Sequence, residues 1–206
     1  TEWPELDVYL TSVTDHFATV SVCGPNSKKI VSTVIDDLDF SDENFPHMSF
    51  KNAKINKINC RVMRISFTGE LSYEINVQAN YAKSVWEKCM EAGKDFNITP
   101  YGTETMHLLR AEKGFIIVGQ DTDATMTPID LQMDWIVSKK KYDFIGKRSL
   151  YRSDTIKEDR KQLVGLLTEN PNEVLEEGAQ IVADINKSPV EMLGHVTSSY
   201  YSPNLN

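Results

Sequence analysis

Between Ile55 and Val77 apolar residues tend to recur at every second position, and from Tyr81 the spacing changes to that of a helix. Period two marks pleated strands and period 3.6 marks a helix, so this stretch predicts strand, turn, strand and helix in that order. Ile58, Cys60 and Val62 share one parity while Met63, Ile65 and Phe67 share the other. A flip at Val62-Met63 predicts a bulge or a strand buried on both faces. Thr68-Gly69-Glu70-Leu71 predicts a turn, and Ser72 to Val77 a strand with Tyr73, Ile75 and Val77 on one side and Glu74 and Asn76 on the other. The helix over 81–92 carries Val85, Trp86, Cys89 and Met90 as its apolar stripe and ends at Gly93.

The flanking chain is read in the same way. Leu6, Val8 and Leu10 alternate, and so do Ala18, Val20 and Val22, which predicts two strands. Gly24-Pro25 then punctuates, and Asn26 or Ser27 caps a short helix with Ile30, Val31, Val34 and Ile35 on one face. The acidic run 36–48, with Pro46 inside it, predicts a loop. A second helix is expected from Thr103 to Lys113, ended by Gly114, followed by a strand over 115–118 and a polar loop over 119–127. From Leu163 short apolar runs (163–167, 181–183, 190–196) alternate with turn residues, the texture of a small β-barrel or sandwich. The charged stretch Ser153 to Lys161 is the expected domain boundary, giving domains at 1–152 and 153–206.

Composition narrows the function classes. The 206 residues carry 30 acidic against 22 basic side chains, a net charge of -8, which repels a phosphate backbone and disfavours nucleic-acid or membrane-surface partners. Cys23, Cys60 and Cys89 are odd in number and widely spaced, which predicts reduced, buried thiols in a cytoplasmic protein rather than a disulfide framework or metal knuckle. No apolar run reaches membrane-spanning length. Thr1-Glu2-Trp3-Pro4 has neither an initiator Met nor the features of a signal peptide, and is read as the start of a piece of a longer chain.

Generic catalytic motifs are missing: there is no GxGxxG, GxxxxGK[ST], HExxH or GxSxG. His16, His47, His107 and His195 are scattered. Asp121 and Asp123 are too few to hold a hard cation, so no metal is expected. Lys139, Lys140 and Lys141 with Lys147 and Arg148 form a run able to attract an anionic tail, although such runs are ordinarily solvated faces. Glu74 stands apart. A carboxylate in mid-strand among apolar neighbours is either on a solvated strand face or needs a partner, and a cationic or multi-donor ligand edge would serve as one.

Six ordered segments carry a specific resemblance. Phe67-Thr68-Gly69-Glu70-Leu71-Ser72-Tyr73-Glu74-Ile75 resembles the aromatic-Thr-Gly-Glu-x-x-aromatic-Glu-Ile segment of the glycine-cleavage aminomethyltransferase (T-protein) superfamily. Val20 to Pro25 resembles that family's strand-Gly-Pro-helix, and Leu109 to Gly114 its LRLEAG helix end. Gly119 to Asp123 with Thr127-Pro128 resembles its G-x-D-x-D…TP loop, Asp143 to Lys147 its DFIGK, and Val196 to Pro203 its VTSGGYSP. Within the superfamily, Thr1 to Pro4 followed by Tyr9 to Asp15 is most similar to the folate-binding C-terminal region of heterotetrameric sarcosine oxidase α subunits.

The resemblance implies an α+β fold, with antiparallel sheets and packed helices followed by a small C-terminal β-barrel. It implies a tetrahydrofolate site in which Glu74 is the pteridine-binding glutamate, Phe67 and Tyr73 are the flanking aromatics and Glu70 is the turn glutamate. The family's catalytic aspartate belongs upstream of Thr1; Asp15, Asp36 and Asp37 do not match it, and no catalytic residue is assigned within these residues. Phe67 stands where the family often has Tyr, and Met106 where T-proteins have an Arg, which turns the expectation away from glycine cleavage.

The implied activity is capture, on tetrahydrofolate, of the one-carbon unit released when a flavin oxidises sarcosine, giving 5,10-methylenetetrahydrofolate and glycine. FAD, FMN and NAD would then bind elsewhere in the parent enzyme, and the partners would be the rest of the α subunit and the other subunits. The sequence piece alone would be inactive. A stand-alone folate-dependent aminomethyltransferase or demethylase is the alternative. A third possibility, a non-catalytic relative in iron–sulfur assembly, is disfavoured because Tyr142-Asp143-Phe144-Ile145-Gly146-Lys147 stands in place of that branch's KGCYxGQ.

Overall fold

A computed structural model describes residues 4–205, so the Thr1–Trp3 part of the opening motif lies outside the described residues. The chain divides into two compact units, Thr1–Met106 and His107–Asn206.

The first unit is built on a four-stranded antiparallel sheet of order β1-β4-β3-β2, from β1 (Phe17–Cys23), β2 (Ser49–Ile55), β3 (Ile58–Arg64) and β4 (Ser72–Gln78). Helices α1 (Ser27–Val34) and α2 (Ala82–Ala92) supply the apolar cover. Ile30, Val31 and Val34 from α1 and Val85 and Cys89 from α2 join Val20, Val22, Cys60, Val62, Tyr73, Ile75 and Val77 of the sheet in one buried cluster. Period-two alternation puts every one of those sheet residues on a single face, so the helices lie on one side of the sheet.

The loop 36–48 completes this core. Asp39 accepts hydrogen bonds from the Ser41 N–H (2.7 Å) and from Asn44 Nδ2 (2.6 Å), and Arg64 Nη1 donates to the Phe45 carbonyl (2.7 Å) and to Asp42 Oδ1 (2.8 Å). So tied, the loop inserts Phe40 and Phe45 against Tyr73, with ring centroids 5.4–5.8 Å apart. Such aromatic clusters contribute on the order of 0.5–1.5 kcal/mol per pair beyond their burial.

Several expectations change. β3 pairs without interruption from Ser49↔Arg64 to Ile55↔Ile58, so there is no bulge. The parity flip instead marks the end of the strand: Met63 faces away from the core and Ile65 and Phe67 follow in irregular chain. β2 was not anticipated. It joins β3 through Asn56 (φ 47) and Lys57 (φ 71), the two left-handed residues of a type I′ hairpin. Residues 6–10 do not form a strand, and their apolar side chains are exposed.

In the second unit, helix α3 (Thr103–Glu112) begins before the division and ends at Gly114, whose φ is +74. Residues 115–117 are irregular and a turn begins at Val118, in place of the expected strand. Strands β5 (Gln180–Val182) and β6 (Met192–His195) form a two-stranded antiparallel sheet, while 163–167 stays irregular.

This unit is organised by two ion pairs, one fully buried and one whose arginine is partly exposed. Arg110 (2% exposed) donates to Asp121 Oδ2, the Phe115 carbonyl, Ser198 Oγ and the Tyr200 hydroxyl. Asp121 (4% exposed) also accepts from the Ile117 N–H, Thr197 Oγ1 and Ser198 Oγ at 2.7–2.8 Å. Burial works to raise the Asp121 carboxyl, but these hydrogen bonds and the Arg110 charge together hold it below its ordinary range. Asp130 (1% exposed) takes a two-pronged bond from Arg160, Nε at 2.7 Å and Nη2 at 2.6 Å, and accepts the Thr127 N–H at 2.7 Å.

No described helix is long and apolar enough to cross a membrane. Cys60 and Cys89 are buried free thiols, pushed up to about 11 chiefly by burial, and Cys23 is half-buried.

Candidate functional site: the Glu74 face of the sheet

The face of the four-stranded sheet opposite the helices is polar. β1 contributes Thr19, Ser21 and Cys23, and β4 contributes Ser72, Glu74 and Asn76; these pair across the ladder as Thr19↔Asn76, Ser21↔Glu74 and Cys23↔Ser72. On the other side β3 sets Met63 beside Glu74 and Arg61 beside Asn76. Thr19 Oγ1 donates to Asn76 Oδ1 at 2.7 Å, and the Ser21 and Ser72 hydroxyls are 3.4 Å apart.

Glu74 sits at the centre of this face, half-buried. No described side chain or N–H donates a hydrogen bond to its carboxylate or forms an ion pair with it. Burial alone pushes its carboxyl above the ordinary glutamate range. A carboxylate that loses solvent without gaining a partner is a cost to the fold, and it is offset when a ligand with several N–H donors pairs with it.

The turn before β4 is fixed from α1. Ser27 Oγ donates to the Leu71 carbonyl (2.8 Å), and so does the Gly24 N–H (2.9 Å). Gly24 (φ +109) and Gly69 (φ +80) occupy left-handed positions that suit glycine, which explains the two glycines at this junction. The turn thereby sets the phase of β4.

That phase separates the four residues expected at the site. Glu74 lies on the polar face, Glu70 is exposed in the turn and Phe67 is half-buried in the irregular segment before it. Tyr73 is fully buried on the core side, so its ring packs beneath the sheet instead of lining the Glu74 face. Its hydroxyl has no partner, and burial raises it above the ordinary tyrosine range.

A residue that the sequence did not single out, Tyr101, joins Glu74. α2 ends at Gly93, a short 3₁₀ turn (Lys94–Phe96) follows, and Asn97 takes the left-handed conformation (φ 55). Ile98 then donates its N–H back to the Gly93 carbonyl (3.1 Å) and packs on the core, and the chain returns through Thr99-Pro100. Tyr101 thereby comes to lie against Cys23 and Ser21, within range of the Glu74 charge. Burial first, and then Cys23 and the Glu74 charge, push its hydroxyl up to about 12, against the lowering effect of the Ser21 hydrogen bond. No spacing rule would have found it, because it lies in a loop brought back by a tertiary contact.

The remaining candidates do not converge. Asp121 is committed to Arg110, and among the described residues no group of three or more His, Cys, Asp or Glu could hold a metal ion. Lys139, Lys140 and Lys141 are exposed, whereas Lys147, Arg148 and Arg152 line an open cleft of about 730 Å³ with Tyr142 and Tyr151.

Comparison with known proteins now fixes the class. The GCVT N-terminal domain family matches residues 1–141, and the glycine cleavage T-protein C-terminal barrel domain family matches residues 161–206. The chain belongs to the glycine-cleavage T-protein (GCVT) family, a folate-dependent family of one-carbon metabolism. Among its relatives, the sarcosine oxidase subunit alpha of Corynebacterium sp. (strain P-1) is 54% identical over 100% of this chain. That of Rhizobium meliloti is 39% identical over 98% of the chain. The aminomethyltransferase of Caldanaerobacter subterraneus is 32% identical over 96% of the chain and 50% of its own length. The chain spans only 22% and 21% of the length of those two α subunits.

Proposed function

We propose that this chain is the tetrahydrofolate-binding module of a cytoplasmic sarcosine oxidase α subunit, with Glu74 gripping the donor edge of the pteridine. The half-buried carboxylate without a partner is the observation that carries this reading. Identity of 54% and 52% to two Corynebacterium α subunits supports the choice of branch. The parent enzyme would oxidise sarcosine with a flavin, and the folate held here would take up the one-carbon unit, yielding 5,10-methylenetetrahydrofolate and glycine. Holding the acceptor in place gains proximity and keeps the water-labile iminium from hydrolysis. FAD, FMN and NAD would bind in other parts of the enzyme, and the rest of the α subunit and its companion subunits would be the partners. Phe67 and Glu70 are assigned to the approach to this site. The boundary between the folate-binding domain and the barrel module is placed within 153–161.

Isothermal titration of folinic acid into the full-length gene product and its Glu74→Ala variant tests the site. Loss of about 2–4 kcal/mol is expected, because the ring's donors are left unpaired. Unchanged affinity would remove Glu74 from the site. A stand-alone aminomethyltransferase is the second reading, favoured by the 32% identity to such an enzyme. Sarcosine-dependent oxygen consumption by the full-length product separates the two readings.

A further inference from the structure

The stretch from Lys139 to Arg152 departs from the charge of the rest of the chain. Six basic residues stand there against one acid, Asp143, a net +5 within a chain of net charge -8. A solvated face accounts for Lys139, Lys140 and Lys141, which lie outside the cleft lining. Lys147, Arg148 and Arg152 differ, because they line the open cleft of about 730 Å³ together with Tyr142 and Tyr151.

Local structure holds this arrangement. Gly146 (φ +92) turns the chain into a short 3₁₀ segment, Lys147–Tyr151. Three residues per turn place Arg148 and Tyr151 on the same side of it. Thr155 Oγ1 donates to the Ser149 carbonyl (2.8 Å) and the Arg152 carbonyl (3.0 Å), which pins the end of the segment. Lys147 Nζ donates to the Tyr142 carbonyl and stands 5.7 Å from the centre of the Tyr142 ring, so cation and ring are tied together. Among the described residues neither Lys147 nor Arg148 forms an ion pair, and Arg152 has only a solvent-exposed one, to Asp154 at 3.3 Å. Beside these charges Tyr142, Ile145 and Tyr151 are 95%, 91% and 71% exposed.

We propose that this cleft is a docking surface for an acidic segment of a different polypeptide. Glu74 and its face play no part in it. Tyrosine and arginine side by side are the residue types that concentrate affinity at protein interfaces. Carboxylates of the incoming segment meet Lys147 and Arg148, which have no carboxylate partner of their own, and its apolar residues cover Tyr142, Ile145 and Tyr151. A nucleic acid matches the local charge as well, but its continuous phosphate backbone meets the acidic surface of the remaining chain.

Fluorescence anisotropy with the full-length gene product and a labelled glutamate-rich peptide containing two leucines tests the surface. Arg148→Glu is expected to weaken the peptide about tenfold or more, and Tyr142→Ala about three- to fivefold. Lys139→Glu, outside the cleft, should stay within about twofold. Arg148→Gln removes the charge without reversing it and should give an intermediate loss, and thermal melts check that each variant is folded. Equal weakening by Lys139→Glu would leave only the diffuse charge of the lysine run. Absence of binding to the unsubstituted product would mean that the cleft is covered or carries no site. Tighter binding of a DNA duplex through Arg148 would assign the cleft to nucleic acid, and an Arg148-dependent dimer in sedimentation would assign it to a second copy. Each of these four results overturns the proposal.

Discussion

Tyr73 and Glu74 are adjacent in sequence but project from opposite faces of β4, the ring into the Phe40–Phe45 cluster and the carboxylate onto the polar face. The segment therefore combines two separable tasks, one in the core and, on the proposed reading of Glu74, one at the ligand.

That separation predicts unequal effects at Tyr73. Tyr73→Ala removes a fully buried ring and should cost about 3–5 kcal/mol in chemical denaturation. Tyr73→Phe removes only a hydroxyl without a partner and should change stability by less than about 1 kcal/mol, or raise it. A loss above 2 kcal/mol in the Phe variant would show that the hydroxyl is paired after all.

Glu74 carries the opposite sign from most carboxylates. Its folded pKa lies above its unfolded value, so its contribution favours the fold at pH below the unfolded value and is lost as pH rises through the folded one. At neutral pH Glu74→Gln should stabilise the unliganded protein, by up to about 1 kcal/mol after discounting for solvent screening, while weakening folinic acid binding. Thermal melts with and without ligand at pH 7 check both halves.

Asp130 behaves conventionally. The Arg160 hydrogen bonds bring it down from 3.8 to about 2, so its stabilisation is complete above about pH 4 and fades as the pH falls toward 2. Asp130→Asn should cost about 2–3 kcal/mol at pH 7 and flatten the acid limb of the stability profile between pH 4 and 2. An unchanged acid limb would shift the acid sensitivity to other carboxylates.

At Arg110 the cost lies in the charge left behind. Arg110→Met strands a buried Asp121 and should destabilise by about 3–5 kcal/mol. Adding Asp121→Asn should recover part of that loss, a coupling that a double-mutant cycle measures directly.

Gly93 links the core to the site loop. A Cβ there would lie 2.5 Å from Ile98 Cβ, so Gly93→Ala must displace the segment that carries Tyr101. A stability loss of about 1–3 kcal/mol is expected, together with weaker folinic acid binding.

The sequence showed the amphipathic elements and missed the parts set by tertiary contact. β1, β4, α1 and α2 each pair a clean period with a burial stripe, and the structure has them. β2 escaped notice because it is a polar edge strand, with Lys51, Asn52 and Lys54 in its middle, and because its hairpin turn is Asn56-Lys57, without the usual glycine. Leu6, Val8 and Leu10 alternate but find no partner strand among the described residues, and alternation without a ladder does not make a strand. Residues 115–118 look extended in sequence but join no strand ladder, and the Ile117 N–H is taken by the Asp121 carboxylate instead. The side of β4 on which Glu74 lies was readable from parity, whereas Tyr101 was not, since only the Gly93–Ile98 return brings it there.

The one-sided helical cover separates the polar face from the core. Ser21, Glu74 and Asn76 share no packing with Val31, Val85 or Ile75, so substitutions on the polar face and in the core should combine almost additively. If the Glu74 face is the ligand site as proposed, its ligand preference could be altered by substitutions on one surface while the packing on the other side of the same strands is left intact.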